Sequence, residues 1–209
     1  MRTTLAVALA LGVLAPAPSA QRGGDGHGTL PAGWKVRFDA AAASPDQVVV
    51  EQKRNALTFT TGPAAVYYKP DMKASGDYEL SAVVSQIKTT ERPEAYGLII
   101  AGAGLDKDTP RYTCFLVRQD GKYSIAVRNG AGTKTLVDWT AAAPMREPNG
   151  VKTSNTLLIR AVGRDVLFFI GGKQVHTLTR LETGGDGIAG IRIGKDLQVQ
   201  VTKLALRTM

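Results

Sequence analysis

From Trp34 onward the chain is written in short β-favouring runs broken by Gly, Pro, Asn or Asp at intervals of about 8 to 12 residues, a spacing that leaves an all-β sandwich or barrel as the fold. The runs are WKVRF, QVVVEQ, ALTFT, AVYYK, DYELSAVVSQIK, AYGLIIAG, RYTCFLVR, KYSIAVRN, TKTLVDW, NTLLIRAV, DVLFFIG, KQVHTL, GIAGIRIG and LQVQVTKLAL, which makes 14 expected strands. Helix-period stretches of any length are absent, and only Ala141 to Arg146 reads as a short turn of helix.

Several runs alternate in period two, as a strand with one buried and one wetter face must. In DYELSAVVS, Tyr78, Leu80, Ala82 and Val84 share one face and Glu79, Ser81 and Ser85 the other. In KYSIAVRN, Tyr123, Ile125 and Val127 oppose Ser124, Ala126 and Arg128. The QDGK between RYTCFLVR and KYSIAVRN supplies an Asp-Gly turn, which predicts a hairpin. Likewise GRD joins NTLLIRAV to DVLFFIG, and Gly171-Gly172 can take the positive φ angles of a tight turn into KQVHTL, predicting a three-strand meander. Alternation from Val175 sends His176 to the wetter face.

Before this β region the text is of another kind. Residues 1–20 place one cation, Arg2, ahead of an apolar run from Leu5 to Leu14 and a small-residue segment, the layout of a secretory signal peptide. The cleavage point stays open among Ala17, Ser19 and Ala20, and a retained N-terminal anchor is the alternative. No run reaches the roughly 18 to 20 apolar residues of a membrane-spanning helix. Residues 21–33, QRGGDGHGTLPAG, read as a flexible Gly-rich linker in which His27 is solvated. Residues 34–209 are expected to be one domain, in an exported protein of the periplasm or extracellular space, and a monomer.

Charge and cysteine usage narrow the chemistry. The formal net charge is +8, but Lys and Arg are scattered singly and never form a run of five. A positive surface favours anionic partners; without a focused stripe or a recognition motif, nucleic acid is not among those expected. The only cysteine, Cys114, excludes an intramolecular disulfide and a redox pair, and its strand-like setting predicts a buried thiol.

The block GDYELSAVVSQIK, AYGLIIAG, YTCFLVRQDGKYSIAVRNG, TLVDWT, NTLLIRAVGRDVLFFIGGKQV, GIAGIRIG and LQVQVTKLAL resembles the concanavalin A-like lectin and glucanase superfamily over about Trp34 to Leu206. Within it the sequence is most similar to laminin-G-like domains and to secreted bacterial 3-keto-disaccharide hydrolase domains. The resemblance implies a two-sheet antiparallel jelly-roll sandwich whose concave face, in many relatives, holds a glycan. Glycosidases of this fold carry E-x-D-x-x-E on one strand face, because retention needs an acid and a nucleophile about 5 Å apart. No such string occurs; the nearest, Glu91 and Glu94 in TERPEAY, lacks the Asp and contains Pro93. Asp106 and Asp108 in GLDKDTPR could offer calcium oxygens, but beside Lys107 and Arg111 they read as a solvated loop, and no cofactor is expected.

The candidate ligand-binding residues are therefore Glu94, Tyr96, Tyr112, Arg118 and Arg128. Tyr112, Cys114, Leu116 and Arg118 alternate onto one strand face, Arg128 joins from the next strand, and Glu94 and Tyr96 enter from the preceding one. Aromatic rings on sugar faces and forked guanidinium groups on hydroxyls or carboxylates would make a glycan grip. A Glu94–Arg118 salt bridge with plain aromatic packing is the competing reading. Trp139 is placed in the core, with sugar stacking as its alternative. His176 lacks a fixed acid partner, since Glu182 and Asp186 stand in the turn-rich TRLETGGDG, and no G-x-S-x-G elbow is present. The expected function is a secreted, non-catalytic module that binds carbohydrate or an anionic glycan. A glycan-active hydrolase and a structural or protein-interaction domain are the alternatives.

Overall fold

A computed structural model describes residues 28–143 and 153–209. The expected signal peptide, most of the linker including His27, and residues 144–146 of the expected helical turn lie outside the described residues. Among the described residues the strands are β1 (Lys35–Phe38), β2 (Val48–Lys53), β3 (Ala56–Thr61), β4 (Ala65–Ala74), β5 (Tyr78–Gln86), β6 (Ala95–Ala103), β7 (Arg111–Arg118), β8 (Lys122–Asn129), β9 (Gly132–Ala141), β10 (Thr153–Val162), β11 (Asp165–Ile170), β12 (Lys173–Thr179), β13 (Gly187–Ile193) and β14 (Gln198–Thr208). Each of the 14 expected runs is a strand.

The strands form two seven-stranded antiparallel sheets. Sheet one runs β1-β4-β13-β6-β7-β8-β9 and sheet two β12-β11-β10-β5-β14-β3-β2. The β7–β8 hairpin and the β10–β11–β12 meander form as the turn residues dictate, with Gly171 and Gly172 at φ 57° and 81°. Less local is the placement of β13 between β4 and β6 and of β14 between β3 and β5.

The inward faces of both sheets make one core. Across it Phe115 of sheet one lies 5.2 Å from Phe168 of sheet two, and Tyr67 lies 4.7 Å from Phe59. Tyr78, Leu80, Ala82 and Val84 all point into this core, as their alternation requires. Two glycines in sheet one let neighbouring strands meet closely. A Cβ on Gly97 would come 2.1 Å from the Phe115 carbonyl oxygen, and one on Gly190 would come 2.6 Å from that of Tyr67.

Two local expectations need correction. A bulge between Phe168 and Phe169 shifts the β11–β12 register, so strict alternation fails there; His176 stands opposite core-facing Phe168, half-buried, rather than on an opposing wet face. The TRLETGGDG segment is a built corner, with a helical turn α1 (Arg180–Thr183) started by a capping box in which the Glu182 carboxylate accepts the Thr179 N–H at 2.8 Å. Asp186 accepts the Gly76 N–H at 3.2 Å and pairs with Arg180 at 3.3 Å. Both acids are engaged in architecture, and neither orients His176. No helix among the described residues is long and apolar enough to cross a membrane.

Candidate functional site

The face of sheet one turned away from the core collects the polar side chains of the central strands. Because directly paired residues of an antiparallel sheet share a face, the register reads off its rows. Arg37, Val66, Arg192, Gly97, Leu116 and Ser124 form one row across six strands. Tyr68, Gly190, Ile99, Cys114 and Ala126 form the next, and Tyr112 beside Arg128 follows.

Half of this face is already covered. The β6–β7 loop folds back and inserts Leu105 among Val66, Tyr68, Ile99, Tyr112 and Cys114, making a second small apolar cluster. Arg37 holds the loop in place by donating to the carbonyls of Leu105 at 3.3 Å and Lys107 at 2.5 Å. Arg192 and Asp39 complete the lid with a two-point ion pair at 2.8 and 2.5 Å. Burial opposes the Arg192 charge, but its hydrogen bonds to the Asp39 carboxylate and the negative charge there more than offset this, so the guanidinium is held charged.

Beneath this cover, burial pushes the Tyr112 hydroxyl and the Cys114 thiol each up to about 12. Neither ionises near neutral pH. Cys114 should therefore resist a thiolate-selective reagent such as Ellman's reagent in the native protein and react once denaturant opens the fold; rapid native labelling would contradict its placement.

The β7–β8–β9 half is open. Here the Arg118 guanidinium lies 4.1 Å from the centre of the Trp139 ring, while two of its nitrogens reach Asp120 at 3.0 and 2.6 Å. Leu116 and Ala126 are half-exposed between this pair and Arg128, itself half-exposed at the other end of the strip. Arg128 donates to the Gly130 carbonyl at 2.6 Å and reaches the Thr133 hydroxyl at 3.5 Å. Its hydrogen-bond partners among the described residues are thus neutral oxygens.

The five residues expected to line a site are not all brought together. Tyr96 points into the core and is fully buried, because β6 presents Tyr96, Leu98 and Ile100 to the other sheet and Gly97 and Ile99 outward. Glu94 precedes β6 with its carboxylate near Gly194, and Arg118 engages Asp120, so the Glu94–Arg118 bridge of the competing reading does not form. Tyr112 and Arg128 are cross-strand neighbours, whereas Arg118 lies six residues further along β7, about 20 Å away. They mark two ends of a surface rather than one pocket. Trp139, placed in the core by the sequence, stands half-exposed on this face; bulges in the β8–β9 pairing decide its side. Arg192, Asp39 and Arg37 were not among the expected residues, although an arginine alternating with Ile191 and Ile193 is a legible sign of an outward polar position.

Two carboxylates belong to this face, Asp39 following β1 and Asp120 following β7, and three strands separate them in the sheet. With strands about 4.8 Å apart, the β1 and β7 backbones are about 19 Å apart across the sheet, and each carboxylate engages an arginine, Arg192 or Arg118. Asp106 and Asp108 are exposed, and no group of three or more His, Cys, Asp or Glu side chains suited to a metal occurs among the described residues.

The architecture is shared with solved structures. The carbohydrate-binding module CBM66 from Bacillus subtilis superposes with a TM-score of 0.62 at 10% identity, covering 84% of this chain and 96% of its own. A Bacillus subtilis protein of unknown function with a galectin-like fold gives 0.62 at 12% identity, over 84% of this chain and 89% of that one. A functionally unknown protein from Saccharomyces cerevisiae gives 0.53 at 11% identity, over 85% and 97%. No protein-family model matches the sequence, and no curated protein matches it. The chain shares with these structures the fold of a two-sheet antiparallel β-sandwich of the concanavalin A-like type.

Proposed function

We propose that this is an exported, non-catalytic carbohydrate-binding module that takes a glycan on the open β7–β8–β9 half of sheet one. The observation that carries the reading is the half-exposed Trp139 ring with Arg118 lying 4.1 Å from its centre. A flat apolar ring held by a cation offers a rigid platform to the C–H face of a sugar at little entropic cost. Beyond it Leu116 and Ala126 keep the floor low, and Arg128 supplies hydrogen-bond donors to hydroxyls at the far end. The length of the strip suits an oligosaccharide better than a single sugar. Export is inferred from the N-terminal pattern alone.

Within this reading the acids of the face are structural partners of arginines. A hydrolase resembling the 3-keto-disaccharide hydrolase domains would draw on Glu94 and Arg118, and the engagement of Arg118 with Asp120 weighs against it. The test is a glycan array followed by calorimetry on the full chain. Trp139→Ala should weaken the best glycan by about 30-fold, equivalent to roughly 2 kcal/mol, while the melting temperature stays nearly unchanged because the ring is half-exposed. Absence of saturable binding to any neutral or acidic glycan would overturn the proposal.

A further inference from the structure

A second cavity lies on the opposite flank of the sandwich, where the β1–β4 side of sheet one faces the β2–β3 turn and β14 of sheet two. It has a volume of about 320 Å³, within the range of small-ligand pockets. Trp34 forms one wall, half-buried and edge-on to Phe59 at 6.5 Å. Met72, Leu57, Val201 and Leu204 supply the remaining apolar lining.

The polar lining is one-sided. Arg54, Lys69 and Lys203 converge on the cavity from three different strands or turns, Gln52 and Asn55 add neutral amides, and none of the described residues that line it is acidic. Lys69 also sits 6.0 Å from the Trp34 ring centre. Three like charges around one cavity repel each other, and an anion between them relieves that repulsion.

Backbone conformation singles out the same place. Arg54 and Lys203 have φ of 54° and 52°, and they are two of the four non-glycine residues with positive φ among the described residues. Arg54 occupies the first central position of the two-residue β2–β3 turn, and Lys203 sits in the bulge that shifts the β14–β5 register between Thr202 and Ala205. Glycine is the least costly residue at both kinds of position. Each instead carries a cation into the same cavity, and such outliers concentrate at binding sites.

We infer that this cavity, walled by Trp34 and ringed by Arg54, Lys69 and Lys203, binds the acidic sugar of a glycan through its carboxylate or sulfate. The ring of such a sugar has an apolar face for Trp34 and Met72, hydroxyls for Gln52 and Asn55, and a charge for the three cations. The site is separate from the β7–β9 surface and stands whether or not that surface binds a glycan.

The strained positions make a clean test, since glycine suits their φ. The full chain carrying Trp139→Phe, which leaves Trp34 as its only tryptophan, is titrated by fluorescence and calorimetry at constant ionic strength. The probes are digalacturonic acid, galactose 6-sulfate, neutral galactobiose and sodium sulfate. At least one acidic sugar should perturb Trp34 saturably, bind at least about tenfold more tightly than galactobiose and sulfate, and weaken as salt rises. Arg54→Gly and Lys203→Gly should each weaken it about tenfold with the melting temperature equal or higher, and Lys69→Met should do the same without unfolding the chain. The proposal is overturned if neither acidic sugar binds, if galactobiose or sulfate binds as tightly, or if both glycine variants keep their affinity. It is overturned equally if Trp139→Ala in the otherwise native chain abolishes acidic-sugar binding, for the ligand then sits on the other face.

Discussion

Gly97→Ala is expected to lower the stability of the domain by about 4 kcal/mol or more. The added methyl carbon would stand 2.1 Å from the Phe115 carbonyl oxygen, and that neighbour is backbone in the middle of a sheet, which cannot swing aside as a long side chain could. Relief requires β6 and β7 to separate, with loss of ladder hydrogen bonds and of the packing of Leu98 and Phe115 beneath them. A cost of about 4 kcal/mol or more follows, against a total stability of about 5 to 15 kcal/mol for a domain. Denaturant melts followed by circular dichroism measure it. Gly132→Ala is the control, because the nearest atom there is 3.6 Å away and φ is not positive; its stability should change by less than about 0.5 kcal/mol. Equal melts for the two variants would contradict the close approach of these strands.

Phe115→Ala is the second large effect. Phe115 is fully buried and sits edge-on to Phe168 at 5.2 Å and to Tyr123 at 6.2 Å, so it ties the two sheets together at the centre of the core. Truncation removes apolar burial and leaves a cavity that flanking strands cannot close, a loss of about 3 to 5 kcal/mol. Melting should fall by about 10 °C or more. Phe115→Leu, which fills most of the volume, should recover at least half of that. Phe168→Ala should cost a similar amount, and the double variant less than the sum, since both remove the same contact.

The strands themselves are legible because turn residues punctuate them and one face of most is apolar. What escaped the sequence is physical in each case. AYGLIIAG is apolar on both faces, since the Leu105 loop covers the outer side of β6, so alternation there carries no direction and Tyr96 was assigned to the wrong side. Trp139 and His176 follow bulges, and one extra residue reverses the side on which a ring appears. The Arg118–Asp120 pair spans two positions around a turn, where a bridge to Glu94 looked equally good on paper. Arg54 and Lys203 give no warning at all, because the usual mark of a positive φ is a glycine and here it is a cation. Sheet order was equally hidden, for pairing between strands far apart in the chain leaves no local trace.

That order has a consequence for how the domain comes into being. Strands β13 and β14 lie inside their sheets rather than at the edges, so β4 and β6 cannot be bridged, nor β3 joined to β5, until the segment from Gly187 to Thr208 is available. Nucleation by local hairpins such as β7–β8 can begin early, but both halves of the core stay open, and the closing contacts are long-range ones that form slowly. An emerging chain of this kind spends its synthesis as an unclosed, hairpin-rich polymer with exposed apolar faces. Neither sheet is closed until β13 and β14 arrive and lock both.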